Sequence, residues 1–187
     1  MQRPAEKFGP VAIALHWTIA LALILSVLTG LGYAYIDDTR TSRTSLELHQ
    51  SIGFLIFLLA LARLYWRITH TPPPPPTGYT RAQRMAAAVT HATLYLFIIG
   101  MPISGYTGLA ARGRDIPIFG AFNLPIVTPL SFDLSNSATT LHIYSQYALY
   151  VLVVLHVAAA LWHHFILKDD VMRRMLPGKT ALQSDTR

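Results

Sequence analysis

Hydrophobic residues fall into four long runs, separated by polar or proline-rich stretches. The runs cover about residues 10–35, 45–67, 83–109 and 139–167. Each run is long enough to cross a bilayer as a helix. Because backbone polar groups in lipid must be hydrogen-bonded within their own segment, helices are the expected form. The pattern predicts an all-α fold, an integral membrane four-helix bundle, as a single domain over residues 1–187.

The amino-acid composition also indicates a membrane protein, and it excludes several classes of partner and cofactor. The chain has 187 residues, of which 52% are hydrophobic and 13% charged, with a mean hydropathy of +0.40. These values are typical of a membrane protein, so the lipid bilayer is the expected environment. The net charge of +6 comes from residues that flank the runs, and it therefore does not indicate a nucleic acid partner. The absence of cysteine excludes disulfides, iron–sulfur clusters and covalently attached c-type haem.

Lysine and arginine are unequally divided between the two predicted membrane sides. Eleven lie on the side that holds both chain ends and four on the other side. The eleven are Arg3, Lys7, Arg63, Arg67, Arg81, Arg84, Lys168, Arg173, Arg174, Lys179 and Arg187. Cytoplasmic segments carry the excess of positive residues, so both termini are predicted to be cytoplasmic.

The segments between the runs give further expectations. A short polar outer loop over 37–44 precedes Ser45, which we expect to cap the second helix. The prolines Pro72–Pro76 form a stiff inner spacer. Pro102 predicts a kink in the third helix. The segment 110–138 is too apolar for a free loop, and we expect it to lie across the outer mouth of the bundle.

The fourth run carries four histidines, His142, His156, His163 and His164. Histidine is rare inside membrane helices and usually functional there. His142 and His156 are fourteen residues apart, which is about 40° short of four full helical turns. Both side chains therefore point to nearly the same side of one helix, about 21 Å apart along it. One helix thus presents an imidazole near each membrane face.

Depth in the membrane sorts the remaining histidines. His49 begins the second run near the outer face, as His142 begins the fourth, whereas His16 and His91 lie in the cytoplasmic half with His156. Two facing pairs result, His49 with His142 and His16 with His156. Two ligands under-fill a zinc site, whereas a haem iron takes four nitrogens from its porphyrin and needs two axial ligands. The pairs therefore favour two b-type haems in the bundle interior.

Two other interpretations of these residues stay open. Each histidine could be a polar residue satisfied within a helix interface. Arg63 lies fourteen residues after His49, on the same side of its helix and near the inner pair. This position suits an arginine that binds a haem propionate. It equally suits an arginine whose side chain extends to the cytoplasmic membrane surface.

Several motifs carry a resemblance to a known family. They are IALHWTIA, ELHQSIG, HATLYLFIIGMPISGY, the H-x13-H spacing of the fourth run and HHFILKDDVMRRMLPG. Over nearly its whole length the sequence resembles the bacterial cytochrome b561 family. That resemblance implies a four-helix bundle in the bacterial inner membrane, with two b haems and quinone as a redox partner. It also implies that the haem ligands are His49 with His142 on the outer side and His16 with His156 on the inner side.

The resemblance also bears on three further histidines. His163 and His164 match a double histidine near which quinone can bind in the family, so His163 could hydrogen-bond a quinone carbonyl and pass a proton. The alternative is a pair of interfacial polar residues at a helix end. His91 matches a family histidine that is not normally an axial ligand, and we expect it to hydrogen-bond a haem propionate.

Function is then predicted as transmembrane electron transfer to the quinone pool, by an oxidoreductase. Similarity to stand-alone family members favours oxidation of superoxide at the outer face and reduction of ubiquinone. Arg112 and Arg114 could attract the anion, or they could be ordinary loop arginines. The alternative is a cytochrome b subunit that passes electrons between quinone and a periplasmic redox protein of hydrogenase or dehydrogenase type. A haem-free channel or scaffold is a third class.

Overall fold

Four long helices dominate the fold. The structure, a computed structural model, describes residues 7–75 and 78–178. The helices are α1 (Pro10–Tyr35), α2 (Thr39–Thr69), α3 (Arg81–Ala110) and α4 (Phe132–Trp162). All four are long and apolar enough to cross a membrane, α4 together with the turn that follows it. The predicted all-α, four-helix membrane fold is confirmed.

The helices are arranged as two pairs. Helix α1 packs mainly on α2 and α3 mainly on α4, and contacts between α2 and α3 join the pairs. Because each helix is long and apolar enough to cross the membrane once, successive helices run antiparallel. One end of the bundle therefore holds the starts of α1 and α3 and the ends of α2 and α4, and we call it the terminal end. The opposite end carries a small β-hairpin, and we call it the hairpin end.

Helix α2 starts earlier than its apolar run. It begins at Thr39, and its N-cap is Asp38, whose carboxylate accepts a hydrogen bond from the backbone N–H of Thr41 at 2.8 Å. The predicted N-cap at Ser45 was therefore wrong, and most of the predicted loop 37–44 is helical. A polar first turn capped by aspartate needs no apolar residues, because the cap supplies a hydrogen-bond acceptor for a backbone N–H of the first turn.

Helix α4 shows the same departure. It begins at Phe132 rather than near residue 139, and the hydroxyl of Ser131 accepts a hydrogen bond from the N–H of Leu134 at 3.2 Å. The segment between α3 and α4 is correspondingly shorter than predicted. Capping residues, and not the edge of the hydrophobic run, decide where both helices start.

Helix α3 begins with a reciprocal capping box between Thr80 and Gln83 and continues through Pro102. Glycine and proline in its second half therefore do not divide it into two helices. Some residues used in the sequence predictions lie outside the described residues, namely Arg3, Pro76, Lys179 and Arg187.

The hairpin lies between α3 and α4. Strands β1 (Pro117–Ile118) and β2 (Phe122–Asn123) are antiparallel, and Phe119 and Gly120 in the turn have positive φ. The N–H of Phe119 donates to the buried hydroxyl of Ser51 on α2 at 2.8 Å. The predicted all-α chain thus includes one short hairpin, and α2 holds it two residues beyond His49.

The terminal end is crossed by the C-terminal strap, residues 168–178, which follows α4. The indole N–H of Trp17 donates to the carbonyl of Met175 at 2.7 Å. The backbone N–H of Phe8 donates to the carbonyl of Arg174 at 3.2 Å. The ammonium group of Lys7 lies 3.2 Å from the carbonyl of Gly178. The start of α1 and the end of the described chain are therefore joined.

Candidate functional site

Two histidines from different helices face each other toward the hairpin end. The rings of His49 and His142 have centroids 5.9 Å apart and planes at 86°. Each lies ten residues after the first residue of its helix, Thr39 or Phe132, rather than close to the helix start as predicted. We call these two residues the hairpin-end pair.

Helix α1 fixes the orientation of His49. The Nδ1 atom of His49 lies 2.8 Å from the backbone carbonyl of Ser26 and 3.3 Å from the hydroxyl of the same residue. One turn later, Gly30 makes room for the ring, because a Cβ there would lie 3.1 Å from Nδ1. A side chain at residue 30 would therefore displace the imidazole.

Helix α3 holds His142 in nearly the same way. Its Nδ1 atom lies 2.9 Å from the backbone carbonyl of Met101 and 3.3 Å from the hydroxyl of Ser104. A Cβ at Gly105 would lie 3.1 Å from the ring. In both halves of the bundle, a carbonyl binds the imidazole and the glycine four residues later makes room for it.

This hydrogen bonding decides which nitrogen can bind a metal. An Nδ1–H group that donates to a carbonyl leaves the lone pair of Nε2 free. A ligating imidazole nitrogen lies about 2 Å from its metal and about 1 Å from its own ring centroid, so two rings on opposite sides of one metal have centroids about 6 Å apart. The hairpin-end pair has that spacing, at 5.9 Å.

A second pair lies toward the terminal end. The rings of His16 and His156 have centroids 6.2 Å apart and planes at 69°, and we call them the terminal-end pair. His91 lies 5.5 Å from His156, so three imidazoles meet here. Arg63 donates to the carbonyl of Ala12 at 2.8 Å, one turn before His16, and lies within electrostatic range of the cluster.

The donor set fits a cofactor that supplies most of its own ligands. Within residues 7–75 and 78–178 there is no group of three or more His, Cys, Asp or Glu side chains arranged to hold a bare metal ion. Two imidazoles at about 6 Å suffice for haem, since the porphyrin supplies four nitrogens. In the same described residues, no hydrogen bond orients His16 or His156, in contrast to the hairpin-end pair.

The double histidine after α4 lies in a separate polar cluster. His163 opens a single π-helical turn, His163–Leu167, of a kind that is frequent at functional sites. Its Nδ1 atom lies 2.5 Å from the carboxylate of Asp169 and 2.8 Å from the hydroxyl of Tyr79. The Nδ1 atom of His164 is buried with no hydrogen-bond partner among the described residues. The two histidines therefore have different surroundings.

The structure separates the two outer arginines. The guanidinium of Arg112 donates to the side-chain carbonyl of Asn136 at 2.7 Å. Arg114 lines a cavity of about 780 Å³ between the α1–α2 turn and the hairpin. The charged groups in its lining are Arg43, Arg114, Asp37, Glu47 and Asp115. Gln50, next to His49, also lines this cavity, and its carbonyl oxygen is buried without a partner among the described residues.

Sequence reasoning missed the residues that support the histidines. Ser26, Ser104, Gly105, Tyr79 and Asp169 have no distinctive spacing of their own. One signal was available, because Gly30 and Gly105 stand out inside apolar helices and each proves to face a ring. For the neighbouring Gly32, whose Cβ would meet Ser45 and Ile36, ordinary helix packing is the role observed.

Comparison with known proteins shows the family to which the chain belongs. The sequence model of the family described as "Prokaryotic cytochrome b561" matches residues 7–178. The chain is 35% identical to "Cytochrome b561 homolog 2" of Escherichia coli K12, over 94% of both chains. It is 29% identical to "Probable superoxide oxidase CybB" of Yersinia pestis, over 93% of this chain and 98% of that protein. Membership implies a b-type haem and a role in transmembrane electron transfer. The chain belongs to the prokaryotic cytochrome b561 family.

Proposed function

We propose that this chain binds two b haems and carries electrons across the bacterial inner membrane, from superoxide to ubiquinone. His49 and His142 hold one haem, and His16 and His156 hold the other. Each haem supplies a one-electron redox couple. A haem held by two histidines would keep no open coordination position for oxygen chemistry, which suits electron transfer. Arg63 and His91 lie beside the terminal-end pair, where they would bind the haem propionates.

One observation carries this proposal. The two histidine pairs have centroid separations of 5.9 and 6.2 Å, and each pair takes one member from α4. The spacing is that of two imidazoles on one metal, about 6 Å. Histidines whose only role is to hydrogen-bond within a helix interface would not be expected to show the same centroid separation at two depths. If these histidines were only polar residues of a helix interface, they should have hydrogen-bond partners there. His16 and His156 have none within the described residues.

The hairpin end faces the periplasm in this proposal, and both termini lie in the cytoplasm. The support is the excess of lysine and arginine at the terminal end, which follows the positive-inside rule. Superoxide therefore reaches the hairpin-end pair first. Ubiquinone is reduced at the terminal end, where His163 and His164 lie in the turn after α4.

Superoxide is a small anion, and the arginines differ in how well they attract it. Arg114 shares its cavity with Arg43 and three carboxylates, so its field is largely cancelled. Arg112 is bonded to neutral Asn136 and keeps its positive field. We assign the attraction mainly to Arg112. The relative named as a probable superoxide oxidase supports this choice of substrate at 29% identity.

The test uses the purified protein in detergent, with an enzymatic source of superoxide and a soluble ubiquinone. We expect a low-spin b-type spectrum, two haems per chain, and quinol formation that superoxide dismutase abolishes. Arg112→Gln should slow the reaction at low ionic strength, and Arg114→Gln should slow it less. A colourless protein would refute haem binding. A red protein that superoxide does not reduce would refute the proposed donor.

A second candidate is a cytochrome b subunit that serves a periplasmic redox protein. One observation favours it, namely that the segment between α3 and α4 exposes large apolar side chains at the hairpin end. Phe119 is 57% exposed, Val127 78% and Leu130 75%. Such a surface can dock another protein. Haem reduction that requires an added periplasmic fraction, with superoxide inactive, would select this candidate.

A further inference from the structure

The two halves of the bundle repeat one arrangement of hydrogen bonds. In the first half, the hydroxyl of Ser42 on α2 donates to the carbonyl of Tyr33 on α1 at 3.1 Å. In the second half, the hydroxyl of Ser135 on α4 donates to the carbonyl of Gly108 on α3 at 2.6 Å. The same two sequence offsets, 75 residues from α1 to α3 and 93 from α2 to α4, also relate the hairpin-end histidines and the carbonyls and glycines that hold them. Each half is therefore a helical hairpin of the same design.

The connection between the two helices is where the halves differ. Helices α1 and α2 are joined by three residues, 36–38, whereas α3 and α4 are joined by 21 residues, 111–131. The first half holds its histidine without the extra residues, so they serve another purpose than building the helix pair. Residues 116–132 contain no charged side chain, and Asp115 and Asp133 flank them. We call residues 116–132 the apolar insert.

The hairpin of the apolar insert lies beside the apolar run of α2. The N–H of Phe119 donates to the hydroxyl of Ser51 at 2.8 Å, and the ring of Phe122 lies 6.3 Å from the ring of Phe54. Ser51 and Phe54 belong to the apolar run 45–67, which predicts the membrane span. The turn of the hairpin therefore reaches past the start of that span, rather than extending away from the bundle into water.

The backbone of the insert is suited to a position next to lipid, where polar groups need partners within the protein. At least five of its N–H groups donate to other protein groups, namely those of Phe119, Ala121, Leu124, Val127 and Ser131. Three further residues have no N–H group, because they are the prolines Pro117, Pro125 and Pro129. The cost of removing this backbone from water is correspondingly reduced.

The insert has both polar and apolar surroundings. Its strand residues Pro117 and Asn123 line the cavity that the insert shares with the charged α1–α2 turn. Its large apolar side chains are exposed, namely Phe119, Phe122, Ile126, Val127, Leu130 and Phe132. This exposed surface continues along the chain into Leu134 and Leu141 of α4, whose exposed side chains face lipid when α4 crosses the membrane. Elements with one polar and one apolar side are typical of the membrane interface.

We propose that the apolar insert is a membrane anchor, which lies at the boundary between lipid headgroups and acyl chains at the hairpin end. Its partner is the bilayer, because its exposed surface continues the lipid-facing surface of α4 and offers no charge to a soluble partner. Exposed apolar patches mark contacts with either membrane or protein, and the second candidate function uses the same side chains for protein docking. The inference rests on the fold and not on electron transfer, so the two can fail separately.

The test places single spin labels on the insert, which is direct because the chain contains no cysteine. The labelled variants are Val127→Cys, Leu130→Cys and Phe132→Cys, in nanodiscs of phosphatidylethanolamine and phosphatidylglycerol. Val151→Cys, on the exposed apolar surface of α4, is the lipid reference, and Arg40→Cys, in the exposed first turn of α2, is the aqueous reference. Apolar oxygen should relax the three insert labels more strongly than a polar nickel chelate does, as at Val151, with the opposite order at Arg40.

A charge in the insert should move it toward water. Leu130→Asp should shift the Phe132→Cys label toward the aqueous reference, with higher nickel accessibility and lower oxygen accessibility, because a carboxylate is disfavoured in lipid. Thr44→Asp, which adds the same charge to the exposed start of α2, is the control and should leave the label unchanged. Helical circular dichroism checks that each variant is folded. If Leu130→Asp does not fold, the three labels of the otherwise unchanged chain still decide the question.

Three results would overturn the anchor. Stronger relaxation by nickel than by oxygen at all three labels would mean that the insert is an aqueous surface. Exclusion of both reagents, with dipolar coupling between labels on different chains, would mean that a second copy covers it. Labels that lose their oxygen accessibility when periplasmic proteins are added would mean that a soluble protein is its partner.

Discussion

The two histidine pairs have similar spacing and different surroundings. At the hairpin end, each imidazole donates to a backbone carbonyl and has a serine hydroxyl within 3.3 Å. At the terminal end, no hydrogen bond within the described residues orients His16 or His156, and the neighbours are His91 and the cation of Arg63. The hairpin-end pair is held by backbone carbonyl groups, and the terminal-end pair lies near the positive charge of Arg63.

This difference sets a direction for electrons in the proposed di-haem protein. A donated Nδ1–H bond makes an imidazole a more basic ligand, which stabilises the oxidised iron and lowers its potential. A nearby positive charge stabilises the reduced state and raises the potential. The hairpin-end haem should therefore have the lower potential. Electrons would then run downhill from the hairpin end to the terminal end, where Arg63 lies.

The largest expected effect comes from removing the ligands. His49→Ala or His142→Ala should remove about one of the two haems, because a bis-histidine site needs both axial ligands. The terminal-end site has a neighbour that could substitute, since His91 lies 5.5 Å from His156. His16→Ala should accordingly keep part of its haem, and further substitution of His91 should remove the rest. Haem content per chain is the measurement.

His70→Ala is the control for these variants. His70 stacks on Trp66 at 3.6 Å and belongs to neither pair. We expect it to keep both haems. Equal haem loss in the control, or full haem content after loss of His49, would contradict the ligand assignment.

A smaller effect is expected from crowding the hairpin-end pair. Gly30→Ala or Gly105→Ala places a Cβ about 3.1 Å from an imidazole ring. Overpacking of this kind costs about 1–3 kcal/mol, and here the ring must move. The low-spin electron paramagnetic resonance signal of one haem should shift while the other is unchanged. In Gly32→Ala the new Cβ meets Ser45 and Ile36 and neither imidazole, so this control crowds the same helix pair and should leave both signals in place.

Arg63→Gln should act on the other pair. Removing one charge in a medium of effective dielectric about 20 changes the energy by about 1–2 kcal/mol, or roughly 50–100 mV for one electron. The higher of the two midpoint potentials should fall by this amount and approach the lower one. Potentiometric titration measures both. Arg84→Gln, on the exposed start of α3, is the control. A drop in the lower potential instead would reverse the assignment of the haems.

Ser26→Ala and Ser104→Ala should give the smallest change. Each removes a hydroxyl 3.3 Å from Nδ1 and leaves the carbonyl hydrogen bond in place. A hydrogen bond contributes about 1 kcal/mol, so a shift of at most roughly 40 mV upward is expected in the lower potential. A shift in the higher potential would mean that the pairs are not independent.

The sequence predicted the membrane helices well because lipid imposes a simple requirement. A run of apolar residues long enough to cross the bilayer must satisfy its own backbone, so its secondary structure is nearly fixed. Helix starts were predicted poorly, since Asp38 and Ser131 cap first turns that lie outside the long apolar runs from which the helices were predicted.

The site was predictable only in part, for a related reason. Histidines are so unusual inside apolar helices that their spacing alone placed His49 opposite His142 and His16 opposite His156, as the structure does. Their supporting groups are backbone carbonyls, serines and glycines, which are common in any helix. Tyr79 and Asp169 contact His163 only because the C-terminal strap crosses the terminal end of the bundle. No local sequence pattern predicts these contacts.

The sharing of α4 between the two pairs has a consequence for biosynthesis. His142 and His156 are on α4, which leaves the ribosome after α1 and α2, where their partners lie. Until α4 enters the membrane, His16 and His49 each lack an opposite imidazole. In the proposed di-haem protein, stable haem capture therefore follows insertion of α4, and a polypeptide truncated before α4 would remain free of haem at both positions.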